Sequence, residues 1–131
     1  QLKKLNSFIA ERQKWANFFT TQLEDVTWLK PQAIPNYITQ HSWQAYVCFV
    51  DPETCPMPRN DIMNYLQTLG ISTRPGTHAL HMLTYYREKY KFCPEDFPEA
   101  QACDQQTMAI PLHNRMPPED FEYIVSSIKA I

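Results

Sequence analysis

Glycine is nearly missing from this chain: Gly70 and Gly76 are the only two in 131 residues, against eleven prolines. Glycine is what lets a backbone close around a phosphate, so the glycine-rich loops of dinucleotide and P-loop sites are excluded within these residues. A phosphate held by the intact protein is held by another segment. Long apolar runs are missing too. No stretch approaches the roughly 18 to 20 residues that span a bilayer, and the opening QLKKLNSFIAERQKW carries charges throughout instead of a signal-peptide core. The chain reads as soluble, untargeted and cytoplasmic, with no membrane partner. Charge of one sign is also absent. The net charge is -2 with no block of like residues, which lacks the electrostatic footprint that nucleic acid or an anionic membrane requires. Cys48, Cys55, Cys93 and Cys103 form no CxxC pair and fit neither a zinc ribbon nor a disulfide-dense secreted module, so reduced thiols are expected.

What is present is enough for one core. An apolar share of 44% in 131 residues suits a single domain spanning 1–131. Leu5, Phe8, Ile9, Trp15, Phe19 and Leu23 recur at helical spacing and predict an amphipathic helix over about 2–23 that needs a partner surface. TWLKPQAIPNYITQ has two prolines and no sustained period, and reads as a connection. HSWQAYVCFVD predicts a largely buried strand, with Trp43, Ala45, Val47 and Phe49 on one face and Gln44, Tyr46, Cys48 and Val50 on the other.

After the proline-rich turn DPETCPMPRND, Asn60 is placed to cap a helix to about Leu69, with Ile62, Tyr65, Leu66 and Leu69 inward and Gly70 as its stop. ISTR follows as a short strand, which makes a split crossover unit. Helices are expected over about 78–90 and 97–106, then a strand TMAIPL whose Pro111 marks an edge or a strand end. A last helix carries Phe121, Ile124, Val125 and Ile128 behind the opening Pro117-Pro118-Glu119-Asp120. The expected fold is α/β (α+β), a small sheet from about 43–50, 71–74 and 107–112 with the first and last helices packed on it.

The chemistry-bearing side chains crowd into GISTRPGTHALHMLTYYREKY, Gly70 to Tyr90. If the helix has begun by His78, then His78, His81 and Tyr85 share one face and Met82, Tyr86 and Tyr90 the next. Arg74 supplies a fixed positive charge suited to a diphosphate or a carboxylate. Plainer readings stand beside each: a solvated turn arginine, a helix start with locally satisfied histidines, and tyrosines that pack. HALH with His41, His113 or a cysteine is a possible metal set, but two imidazoles without a positioned third ligand are common, and no metal is expected. Trp43 and Tyr46 read as core, and His113-Asn114-Arg115 as a polar loop.

The ordered run of AERQKWANFF, HSWQAYVCFV, RNDIMNYLQTLGIST, HALHMLTYYREKY and FPEAQACDQQTMAIPLHNRMPPEDFEYIVSSI resembles the C-terminal part of the DegT/DnrJ/EryC1/StrS family, the pyridoxal phosphate sugar aminotransferases. The resemblance covers essentially the whole chain. It implies the small C-terminal domain of a larger enzyme, in keeping with Gln1, which is not an unprocessed natural start. It implies a partner N-terminal cofactor domain carrying the lysine that binds pyridoxal phosphate, a homodimer, an amino donor such as glutamate, and a nucleotide-linked keto-sugar as acceptor. None of Lys3, Lys4, Lys14, Lys30, Lys89, Lys91 or Lys129 lies in the family's lysine motif, so the chain alone is expected to bind no cofactor and to hold no catalytic residue. In the family, the segment after GI.T passes near the substrate with a histidine-aromatic pair and then a second histidine. His81 matches the second; Gly76 and Thr77 replace the pair. The resemblance, through His81, together with the charge of Arg74 and the helical spacing, marks Arg74, Thr77, His78, His81 and Tyr85 as the expected substrate-binding residues. A stand-alone ligand-binding or interaction module of the same fold is the alternative, and a small metal-dependent enzyme a third reading.

Overall fold

Residues 2–131 are described by a computed structural model. A 3-10 turn at Leu2–Lys4 runs into helix α1, Leu5–Gln22. The stripe predicted for it is only half used. Ala16 and Phe19 are fully buried, while Leu5 and Phe8 remain 46% and 38% exposed. The C-terminal half of α1 therefore supplies the packing, and its N-terminal half stands over a cleft described below.

Strand β1, Leu29–Pro31, lies inside the proline-bearing segment that reads as a connection. It pairs antiparallel with β2, Tyr46–Val50, placing Leu29 opposite Val50 and Pro31 opposite Cys48. β1 is an edge strand, where a proline deprives only the unpaired side of an N–H. β2 starts later than its alternation suggests. Trp43 has a left-handed φ of 47°, which ends any extended run there, although it is buried as expected. Tyr46, Cys48 and Val50 face the core, and Val47 and Phe49 on the other face are half-buried.

Helix α2, Arg59–Thr68, starts one residue before the expected Asn60 cap, after Pro58. Ile62 and Leu66 are buried, whereas Tyr65 is 39% exposed. Gly70, at φ 79°, stops it as predicted: its N–H donates to the Gln67 carbonyl and the Ile71 N–H reaches the Leu66 carbonyl. That pair of bonds is the Schellman arrangement, and it drops Ile71 into the core beside Leu66. Because residues 71–73 are spent on this descent, strand β3 is only Arg74–Pro75.

The expected helix over 78–90 is broken. Leu80–Met82 form a 3-10 turn, Leu83 is extended (φ -67°, ψ 136°), and helix α3 runs over Thr84–Tyr90. A further 3-10 turn, Pro94–Asp96, precedes helix α4, Pro98–Gln106. Strand β4, Thr107–Ile110, follows directly, and helix α5, Pro118–Lys129, closes the domain.

The sheet order is β1-β2-β4-β3, with every neighbouring pair antiparallel. β4 thus sits between β2 and β3, which run parallel to each other through α2, so the split crossover is present. Pro111 marks the end of β4 and not an edge. Phe19 of α1 touches Tyr46 of β2 and Phe121 of α5, ring centroids 5.3 and 5.5 Å apart, and Ile62, Leu66, Met108, Ile124 and Ile128 complete the same core.

Candidate substrate-facing site

Arg74 enters the site on β3, opposite Ala109 of β4. It is exposed and forms no ion pair among the described residues. Pro75 fixes φ, and the Gly76 N–H donates to the Thr107 carbonyl at 3.1 Å. Gly76 is small because its surroundings demand it. A Cβ there would lie 2.5 Å from both Thr107 Oγ1 and Val47 Cγ1, so no side chain fits unless β2 and β4 move. Thr77 follows on the exposed side of this close approach.

His78 is also exposed, with Nδ1 3.6 Å from Asp104 Oδ1 at the end of α4. Beneath them lies Arg59, which sequence patterning did not single out. Its NH2 donates to the Asp104 carbonyl at 2.9 Å and its NH1 to the Thr107 carbonyl at 3.0 Å. Burial lowers the Arg59 pKa from its ordinary value, and the Asp104 charge partly opposes that. A guanidinium on the last carbonyls of α4 fixes the point where helix becomes strand, in the place where cations suit a helix C-terminus. Nothing in the local spacing of PMPRND marks this long-range clamp.

His81 has a different situation from His78. It is 6% exposed, its ring lies 5.1 Å from that of Phe97, and Nε2 is 3.3 Å from the Pro94 carbonyl. A carbonyl only accepts, so Nε2 carries the proton and donates. His81 therefore pins the Pro94–Asp96 turn. Tyr85 lies on α3 beyond the break, 61% exposed, and its hydroxyl accepts from Lys89 Nζ at 2.9 Å. The expectation that His78, His81 and Tyr85 share one helix face is thus corrected: the extended Leu83 turns α3 away from the Leu80–Met82 turn. Arg74, Thr77 and His78 remain together on one exposed segment, with His81 as its anchor.

Among the described residues no three His, Cys, Asp or Glu side chains converge on a metal-sized space. All seven lysines are exposed. A lysine that binds pyridoxal phosphate covalently must be desolvated against it, and none of these seven is buried, so no step through the cofactor is derived from these residues.

The loop His113-Asn114-Arg115, expected to be merely polar, is clamped to α1. Arg12 Nε donates to Asn114 Oδ1 at 2.9 Å, Arg12 NH1 donates to the Trp43 and Gln44 carbonyls at 3.1 Å, and Asn114 Nδ2 donates to the Phe8 carbonyl at 2.9 Å. Arg12 and the His113-Asn114-Arg115 loop, with Lys4, Leu5 and Phe8, line a cleft of about 990 Å³. Helical patterning placed Phe8 on a packing stripe and gave no hint that Arg12 would reach this loop.

A small antiparallel sheet holding a split β-α-β unit, with helices packed on it, defines a mixed α+β domain. The same arrangement recurs in solved aminotransferases. The putative sugar aminotransferase Spr1654 from Streptococcus pneumoniae matches with a TM-score of 0.86 at 22% identity over 98% of this chain and 32% of that one. It has been solved in apo, PMP and PLP forms. PseC from Helicobacter pylori, an aminotransferase of pseudoaminic acid biosynthesis, matches with a TM-score of 0.84 at 18% identity over 99% of this chain and 34% of that one. TlmJ from Streptoalloteichus hindustanus gives 0.83 at 22% over 98% and 33%. These likenesses establish the fold, and the chain spans about a third of the length of the structures it matches. The DegT/DnrJ/EryC1/StrS aminotransferase family is matched over residues 1–129, and the chain belongs to it.

Proposed function

We propose that this chain is the C-terminal small domain of a pyridoxal phosphate-dependent aminotransferase that passes an amino group from an amino acid, glutamate by expectation, to a nucleotide-linked keto-sugar. The observation that carries this reading is the family match across residues 1–129. In the complete protein, a cytoplasmic homodimer on this reading, the cofactor supplies the electron sink from the N-terminal domain. This chain's residues bind and orient. Arg74, exposed at the start of β3 and without an ion pair among the described residues, offers its charge to a phosphate or carboxylate of the substrate. Thr77 and His78 offer hydrogen bonds beside it, His81 holds the segment through Pro94, and the exposed Tyr85 presents a ring and a hydroxyl from α3.

No helix among the described residues is long and apolar enough to cross a membrane. The test compares the complete protein with the 131-residue chain, following visible cofactor absorbance and amino transfer from glutamate to a nucleotide-linked keto-sugar. The complete protein is expected to show both and the chain neither. A borohydride-trappable adduct at one lysine of the isolated chain, with turnover, would overturn the reading.

A further inference from the structure

A cleft of about 450 Å³ lies between the middle of α1 and the loop joining β1 to β2. It shares no residue with the Arg74–Tyr85 segment. In a chain with 20% charged residues, no Asp, Glu, Lys or Arg lines it. Its polar walls are amides, hydroxyls, the His41 imidazole and the Trp43 indole, and most of them are wired together before any ligand arrives.

The wiring starts at Trp43, whose left-handed backbone is a sterically unfavourable state for so bulky a residue. Its backbone N–H donates to His41 Nδ1 at 3.1 Å, and its indole N–H donates to Gln13 Oε1 at 2.8 Å. Gln13 Nε2 in turn donates to Asn17 Oδ1 at 2.8 Å. An imidazole that accepts at Nδ1 carries its proton on Nε2, which lies 3.2 Å from the Gln32 side-chain amide. The Gln32 atom placed there is its amide nitrogen, and two donors cannot bond each other, so the amide is assigned turned over, its oxygen accepting from Nε2 and its NH2 group facing the cleft. Thr20 donates to the Ala16 carbonyl at 2.9 Å and accepts from the Tyr46 hydroxyl at 2.8 Å.

What is left over defines the ligand. The NH2 groups of Asn17 and Gln32, together with the Thr39 and Gln40 side chains, line the cleft without a bond of their own among the described residues. Ile34 and Ile38 add an apolar strip. We propose that this cleft binds a neutral polyhydroxylated ring, a saccharide unit. Hydroxyls both donate and accept, as amide side chains do, and the C–H face of a sugar ring covers an apolar strip of this width. A charged ligand would find no counter-ion. The volume lies within the range of about 300 to 1,000 Å³ usual for small-molecule sites.

The experiment titrates the full-length protein with glucose, N-acetylglucosamine and maltose by calorimetry and saturation-transfer NMR, with glucuronate as the charged control. At least one neutral sugar is expected to bind saturably. Asn17→Ala and Gln32→Ala should each weaken it about tenfold, the size of one lost hydrogen bond, with unchanged melting temperature. Arg74→Ala should leave it intact. No saturable binding by any neutral probe, binding untouched by both α1 and loop variants, or binding of the sugars lost with Arg74→Ala would each overturn the assignment. Gln40→Ala provides an independent loop variant should Gln32→Ala unfold.

Discussion

Trp15 lies flat on Phe121, ring centroids 4.0 Å apart and planes 2° from parallel. This contact joins the first helix to the last. Phe121 is fully buried and also meets Phe19, while Trp15 is half-buried, so burial of Phe121 carries more of the free energy than ring electrostatics, which disfavour full face-to-face overlap. Phe121→Ala is expected to cost about 3 to 5 kcal/mol in urea unfolding. A loss below about 1 kcal/mol would mean that the two helices are not joined here.

Gly76 leaves no room for a methyl group. Gly76→Ala should destabilise by about 1 to 3 kcal/mol through overpacking against Thr107 and Val47. Adding Val47→Ala should recover part of that loss, and a double variant no better than the single one would count against the steric account.

Stability should fall at alkaline pH. Burial pushes the Cys48 thiol from 9.0 up to about 12. Burial likewise raises the Tyr46 phenol from 10.0 to about 12, with its Thr20 bond opposing the shift. Below pH 9 both groups are protonated whether the chain is folded or not. As pH rises from 9 to 12 the unfolded chain loses these protons first, so the folded state loses relative stability. Tyr46→Phe and Cys48→Ala should flatten the fall in urea midpoint between pH 8 and 11, and identical slopes in wild type and the double variant would refute it.

Arg74→Ala and His81→Ala should separate in the complete enzyme. Loss of a charge-assisted contact of about 1.5 to 3 kcal/mol corresponds to a roughly 10- to 150-fold drop in kcat/KM for Arg74→Ala, with melting unchanged. His81→Ala should lower stability by about 1 to 3 kcal/mol as well, because it unpins the Pro94 carbonyl and opens space under Phe97. Wild-type kinetics in both variants would remove the segment from the substrate site.

Lys91 ends α3 in the left-handed region at φ 59°. Lys91→Gly should raise stability by up to about 1 kcal/mol in thermal melts, since glycine occupies that conformation without steric cost. A drop in melting temperature would show that the lysine side chain holds this helix end.

The elements written in strong periodicity were legible, α1, α2 with its Gly70 stop and α5 behind its double proline, as was α4 from its proline-started first turn. Those set by tertiary pairing were not. Leu29–Pro31 becomes a strand only because Val50 and Cys48 lie beside it, and two nearby prolines hide that. The 78–90 segment has helical composition, yet burying His81 against Pro94 and Phe97 is incompatible with one straight helix, so Leu83 extends. At the site, the cluster of Arg74, Thr77 and His78 could be read from chain proximity. Arg59 and the Arg12–Asn114 clamp could not, because each bridges segments 45 to 102 residues apart.

The position of β4 also governs when this domain can form. One of the sheet's two inner strands is read out last among the four, and the other, β2, must wait across some sixty residues of chain for Thr107–Ile110 to reach it. Closing so long a loop is paid before any ladder bond rewards it. Before β4 is made, β1 and β2 form a two-stranded ribbon with only α1 available to cover Tyr46, Cys48 and Val50, and such a ribbon is marginal in water. Until Thr107–Ile110 is available, the β4 edge of β2 has no partner, and this segment is a client for whatever shields exposed apolar strands.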